Sequence, residues 1–249
     1  MSGHSKWSQI KRQKGANDVK RGAIFTKVGR EIAVAARAGG ADPDGNFRLR
    51  LAIEKARSVN MPADTIKRAV ERAAGGGDGE QFEEIAYEGY GPGGVAVLVE
   101  AATDNRNRTA AEIRSIFSKS GGQLAGSGSV AWQFEPRGLI TVPVRGQDAD
   151  ELALVAIDAG ADDVDTDADP LEVYTEPGQL ERVRRSLEEA GVAVESAETT
   201  MVAKATVELD SSRARQALRL VEALEDLEDV QRVTANFDIP EEVFAEVTA

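Results

Sequence analysis

Apolar residues recur at helical spacing through the first third of the chain and at strand spacing after it. Asp18 is suited to cap a helix, and Ile24, Val28, Ile32, Ala35 and Ala36 then share one face. This predicts a helix to about Ala38, stopped by Gly39–Gly40. A second helix is predicted over about Asn46–Asn60, burying Leu49, Ala52, Ile53, Ala56 and Val59. A third runs from Pro62 to about Ala74, burying Ile66, Ala69, Val70 and Ala73. Residues 1–16 lack any such period and read as a polar arm. Gly75-Gly76-Gly77-Asp78-Gly79 reads as a linker.

Beyond the linker, strands and helices alternate. Strands are predicted at Glu84–Tyr90 and Val95–Thr103 around the turn Gly91-Pro92-Gly93-Gly94. A capping box at Thr109 and Glu112 opens a helix carrying Ile113, Ile116 and Phe117, closed by Gly121–Gly122, and Val130–Phe134 is a further strand. There follow a strand at Leu139–Val144, a helix over Asp148–Ala159, strands at Asp163–Thr166 and Leu171–Tyr174, a helix over Gln179–Ala190 and a strand at Val192–Ser196. That order, βαββαβ, is a complete ferredoxin-like unit. A strand at Ala205–Leu209, a helix with Ala214, Leu218, Val221 and Leu224, and a strand at Val230–Phe237 end the chain. The pieces before and after the complete unit do not close alone, so they are expected to pair. The expected fold is α+β and multidomain: a helical domain followed by two ferredoxin-like α/β domains, the third inserted in the second. Its domains are 1–79, then 80–135 with 204–249, and 136–203 as the insertion.

Charge sharpens this picture. The net charge of −13 averages two opposite regions. Residues 1–72 carry 16 Lys and Arg against 7 Asp and Glu, and the remainder 14 against 36. Positive charge kept at one end of an acidic chain points to a polyanion as partner, and confines the contact to that end. There is no cysteine, which excludes disulfides, thiolate metal sites and a cysteine nucleophile and suits a reducing compartment. No apolar run approaches the roughly 20 residues of a membrane span, and no apolar h-region follows the basic N-terminus. A cytoplasmic protein without membrane contact is expected. No coiled-coil seam is present, so a monomer is expected.

Five segments carry a family resemblance: Gly3-His4-Ser5-Lys6-Trp7, Asn60-Met61-Pro62, Tyr87-Glu88-Gly89-Tyr90-Gly91-Pro92-Gly93-Gly94, Thr103-Asp104-Asn105-Arg106-Asn107-Arg108-Thr109 and Gly128-Ser129-Val130. Together the sequence resembles the YebC/PmpR family, which includes the mitochondrial translational activator of cytochrome c oxidase subunit one. The resemblance implies a helical first domain and two α/β domains. It implies a role either as a DNA-binding transcriptional regulator or as a ribosome-associated translation factor.

The candidate nucleic-acid contacts are His4, Lys6, Trp7, Lys11, Arg12, Lys14, Lys20 and Arg21, continued along the first helix by Lys27, Arg30 and Arg37. At ~100° per residue, Lys20, Lys27, Arg30 and Arg37 lie on the arc away from the apolar face. Each cation can neutralise a phosphate and release a counterion, which gives affinity without reading bases. Trp7 either stacks on an unpaired base or staples the arm to the helical domain. His4 is the only histidine, so no histidine metal cluster can form, and neither catalysis nor a cofactor is expected. No helix shows the Arg, Asn and Gln cluster of a base reader. Diffuse charge with one aromatic suits folded RNA, so ribosomal RNA is expected over promoter DNA.

Other motifs weigh less. Asp104–Arg108 precedes a helix and either holds an anion or is a capped loop whose arginines pair with carboxylates. The Gly91–Gly94 turn lacks the Lys-Ser/Thr of a phosphate loop, and Asp42-Pro43-Asp44-Gly45-Asn46 lacks the glycine and glutamate positions of a calcium loop. Alternating Asp163, Asp165, Asp167 and Asp169 would put four carboxylates on one strand face. That permits a metal-dependent nuclease as a rival function, or simply a charged edge. A pure protein–protein scaffold is the third reading.

Overall fold

The helical period of the first third folds as α1 (Asp18–Gly39), α2 (Phe47–Ser58) and α3 (Ala63–Ala74) in the computed structural model, which describes residues 18–74 and 82–248. Their common core is Val28, Ile32, Ala35 and Ala36 of α1, Leu49, Ala52, Ile53 and Ala56 of α2, then Met61, Ile66 and Ala73. Ile32 and Leu49 are fully buried, each stabilising the bundle by roughly 1.5–3 kcal/mol. Asn46 fixes the α1–α2 corner. Its Oδ1 accepts from Leu49 N at 3.1 Å as the cap of α2, while Nδ2 donates to the carbonyls of Ala35 and Gly40, each at 2.8 Å. A Cβ at Gly39 would stand 2.7–2.9 Å from three atoms of this amide, so the close approach requires glycine. The segment that echoed a calcium loop is therefore a corner, with Asp42 accepting from Asp44 N at 3.0 Å.

The remainder comprises β1 (Glu83–Tyr90), β2 (Ala96–Thr103), α4 (Arg106–Lys119), β3 (Gln123–Leu124), β4 (Phe134–Val142), α5 (Ala149–Asp158), β5 (Asp163–Asp165), β6 (Leu171–Thr175), α6 (Leu180–Glu189), β7 (Ser196–Ala203), β8 (Val207–Glu208), α7 (Ser211–Glu225), β9 (Val230–Ala235), β10 (Phe237–Asp238) and α8 (Glu241–Thr248). The chain is thus mixed α+β, with N-terminal helices followed by antiparallel sheets. One sheet has the order β3-β1-β2-β9 and the other β5-β6-β4-β7, and β8 pairs with β10 in parallel. Two compact units result: Gln133–Glu208 with the stretch from Asn236, and residues 18–132 with Leu209–Ala235. The first sheet therefore takes its fourth strand from beyond the second. The helical bundle belongs to the same unit as that first sheet.

Several expectations need correction. The strand expected at Val130–Phe134 is absent, and β4 instead runs unbroken from Phe134 to Val142. Pro136 is tolerated because β6 pairs with β4 only from Gly138 onward, so that end of β4 has β7 as its ladder partner. The last strand of the βαββαβ series is Ser196–Ala203, not Val192–Ser196. Val192 instead closes α6: its N–H donates to the Leu187 carbonyl at 2.9 Å after Gly191 takes a positive φ. The strand expected at Ala205–Leu209 shrinks to β8 and joins neither four-stranded sheet. Residues from Asn236, grouped by the sequence with 80–135, lie in the other unit, where α8 was not expected. The aspartate ladder fails as well. β5 ends at Asp165, whose carboxylate accepts from Asp167 N at 3.1 Å in a turn, so Asp167 and Asp169 lie beyond the strand.

Candidate nucleic-acid interface

Of the expected contacts, His4, Lys6, Trp7, Lys11, Arg12 and Lys14 lie outside the described residues, and Lys20 and Arg21 stand at the start of α1. The structure separates the remaining three. Lys27 donates from Nζ to the carbonyl of Glu225 at the end of α7. Arg30 donates from Nη1 to Asp229 Oδ1 at 2.6 Å, has Nη2 3.9 Å from Glu228, and lies 5.1 Å from the centre of the Phe82 ring. Arg37, at the last turn of α1, is exposed and has no partner among the described residues. The arc of α1 that faces away from its own bundle core is thus partly the arc that meets the α/β sheet. Two cations expected to face phosphate are fasteners there.

Asp229 is the centre of that junction and is 3% exposed. Besides Arg30, its carboxylate accepts from Thr103 Oγ1 at 3.1 Å, Thr109 Oγ1 at 2.5 Å and Arg108 Nη2 at 2.8 Å. Its carbonyl accepts from Ala102 N at 2.8 Å. Burial pushes the carboxyl upward, but hydrogen bonds from Arg108 and Thr109 and the charges of Arg30 and Arg108 outweigh it and hold Asp229 below the usual range. The Arg108 guanidinium is correspondingly raised by Asp229 and Asp104.

This junction also decides how α4 begins. Its cap is Asn105, whose side chain accepts from Arg108 N at 3.1 Å, and not the expected Thr109. Thr109 sits inside the first turn, its hydroxyl turned onto Asp229 and Thr103. Arg108 pairs with Asp104 at 2.7 Å, and Arg106 lies 3.9 Å from Glu83. Of the two readings of Asp104–Arg108, the capped loop with paired arginines is the one observed. An adjoining cleft of about 580 Å³ is lined by Glu83 and Asp104 as well as Arg106 and Asn107, a mixed charge that does not single out an anion.

A second buried carboxylate was not foreseen. Glu88, 5% exposed, accepts from the N–H groups of Gly128 and Val130 at 2.6 Å each and of Ala131 at 2.8 Å. Burial raises it, and these backbone donors more than offset that, so it too lies below the ordinary value. Gly128 has φ 84°, which lets the loop curl its amides onto one point. Tyr90 adds a bond from its hydroxyl to the Ser129 carbonyl at 3.0 Å. Two separate sequence motifs, Tyr87–Gly94 and Gly128–Val130, are one structure. Nothing local marked Glu88 for this role, since β1 carries Glu83 and Glu84 as well.

The helical bundle also presents cations that the sequence reading passed over. Arg57 and Arg72 are exposed with no partner among the described residues. Among the described residues Arg68 bonds within its own helix, to Asp64 O and Thr65 Oγ1. Lys55 and Arg48 are matched by Glu31 and Glu84. Among the described residues no His, Cys, Asp and Glu group could hold a metal ion, and no helix is long and apolar enough to cross a membrane.

Comparison with known proteins accounts for nearly the whole chain. Residues 5–76 match the TACO1/YebC protein N-terminal domain, and residues 82–237 the TACO1/YebC second and third domain. A probable transcriptional regulatory protein of Rubrobacter xylanophilus is 57% identical over 248 residues, 99% of each chain. One of Chloroflexus aurantiacus, of the same name, is 55% identical over 252 residues, 100% of each. The crystal structure of a conserved hypothetical protein from Aquifex aeolicus, 49% identical, superposes with a TM-score of 0.86 over 91% of this chain and 93% of that one. With residues 5–76 and 82–237 matched by the family's two models and a relative 57% identical over 99% of the chain, the protein belongs to the TACO1/YebC family.

Proposed function

We propose that this protein regulates gene expression by holding nucleic acid with its basic N-terminal domain, and that its target is ribosomal RNA. The observation that carries the reading is the division of charge: 16 Lys and Arg against 7 Asp and Glu in residues 1–72, against 14 and 36 beyond. Arg37, Arg57 and Arg72 stay exposed without a carboxylate partner among the described residues, so their charge is left for a partner. The acidic remainder repels the same polyanion and leaves the N-terminal domain to lead. Cations scattered over an arm and three helices suit an irregular backbone better than a base code. The names of the relatives favour promoter DNA as the second reading. The same proposal takes residues 136–203 as a ferredoxin-like unit inserted in the second domain, supported by the order β5-β6-β4-β7.

The test is a salt titration of binding to a ribosomal RNA fragment and to duplex DNA. Replacing Lys6, Lys11, Arg12 and Lys14 with alanine is expected to weaken RNA binding. It should flatten the log–log salt slope by roughly 0.7–0.9 per lost phosphate contact. Unchanged affinity and slope would contradict the assignment of the arm.

A further inference from the structure

The sequence between Arg145 and Arg182 contains 12 Asp and Glu and no Lys or Arg. It forms α5, β5 and β6. On α5 the inner face is closed by Leu152 and Ala156, both buried. The outer face carries two large apolar side chains that a solvated helix would not place there: Leu154 is 67% and Ile157 48% exposed. They stand three residues apart, adjacent on the helix surface, and Asp150, Glu151 and Asp158 frame them at helical spacing. These three carboxylates are exposed and meet no Lys or Arg among the described residues. Nearby, Arg137 is engaged by Glu135 at 2.7 Å and Asp162 at 3.1 Å. An apolar pair inside an uncompensated acidic frame is the complement of a cationic amphipathic surface.

We propose that the outer face of α5 docks a cationic amphipathic helix of a partner protein. Leu154 and Ile157 enter the partner's apolar stripe, and Asp150, Glu151 and Asp158 pair with its lysines or arginines. Nucleic acid is repelled by the same carboxylates. A second copy of this chain, meeting the face through a two-fold axis, would bring acidic frame against acidic frame. The proposal stands independently of which nucleic acid the arm holds.

The probe is a labelled helical peptide of about 16 residues, with leucines at i, i+3, i+4 and i+7 and lysines elsewhere. It is titrated into the full-length chain by fluorescence anisotropy near physiological salt. A peptide of the same composition, scrambled to break the stripe, is the control. The amphipathic peptide should bind more tightly than its scramble. Leu154→Ser with Ile157→Ser should weaken it by about tenfold. Both substitutions are at exposed positions and should leave the thermal melt unchanged. If they do not, Asp150→Asn, Glu151→Gln and Asp158→Asn together decide, by weakening the same peptide and flattening its salt dependence. Equal binding of both peptides, or indifference to the apolar substitutions, would overturn the proposal, since charge alone would then be at work; no binding of either would overturn it outright. A chain that sediments as a dimer, and becomes a monomer on Leu154→Ser with Ile157→Ser, would overturn it in favour of self-association.

Discussion

Arg30 of α1 donates through Nη1 to Oδ1 of Asp229, 199 residues further along the chain, at 2.6 Å. The pair ties the helical bundle to the first sheet and converts a residue that reads as a phosphate contact into a fastener. The two partners are not equally dependent on each other. Asp229 keeps Arg108, Thr103 and Thr109 if Arg30 is removed. Without Asp229, Arg30 and Arg108 both lose their buried counter-ion.

Asp229→Ala is accordingly expected to cost about 3–5 kcal/mol of stability, the range for leaving buried charge unpaired, and Arg30→Met only about 1–2 kcal/mol. Urea denaturation of both variants checks the order. Equal losses would mean that the remaining donors do not satisfy Asp229.

Glu88→Gln should be damaging although the shape is conserved. The amide would turn a donor toward at least one of the N–H groups of Gly128, Val130 and Ala131 and leave it unsatisfied, at a cost of about 2–3 kcal/mol. Hydrogen exchange should show faster exchange in residues 126–131 before any other part of the unit. Wild-type protection of that loop would count against the capped carboxylate.

Both carboxylates are depressed in the folded state, which fixes the sign of the pH effect. The unfolded chain binds protons at these positions more readily, so their contribution is fully present above the unfolded values of about 4. It is lost as the pH falls through the lower folded values. Stability should decline from about pH 4 downward, and Asp229→Asn should flatten that decline. Thermal melts between pH 3 and pH 7 would show it, and a variant with the wild-type slope would argue otherwise.

At the α1–α2 corner, Gly39→Ala would press a methyl group against the side chain of Asn46, which three hydrogen bonds hold in place. A loss of about 1–3 kcal/mol is expected. A calorimetric melt at the wild-type temperature would mean that the corner yields.

The helices of the first domain were legible because Val28 and Ile32, and Leu49 and Ile53, repeat at helical spacing. Strand limits were less so. The N–H of Val130 serves the Glu88 carboxylate instead of a ladder, and nothing local to Val130 signals that. Val192 looks like a strand start but closes a helix. At the interface, helical spacing placed Lys27 and Arg30 correctly on the arc away from the bundle core. The groups that take up those cations, the Glu225 carbonyl and the Asp229 carboxylate, come from about 200 positions away, beyond the reach of any local pattern. The pairing of Arg108 with Asp229 was hidden for the same reason.

The claim that the basic N-terminal domain holds ribosomal RNA is tested most directly by sedimenting cell lysate through a sucrose gradient, with the intact chain and with a chain lacking residues 1–16. The intact protein should travel with ribosomal fractions at low salt and leave them as salt is raised, and the truncated protein should remain near the top. An intact protein that stays out of ribosomal fractions and instead protects a defined promoter in a footprint would contradict the account.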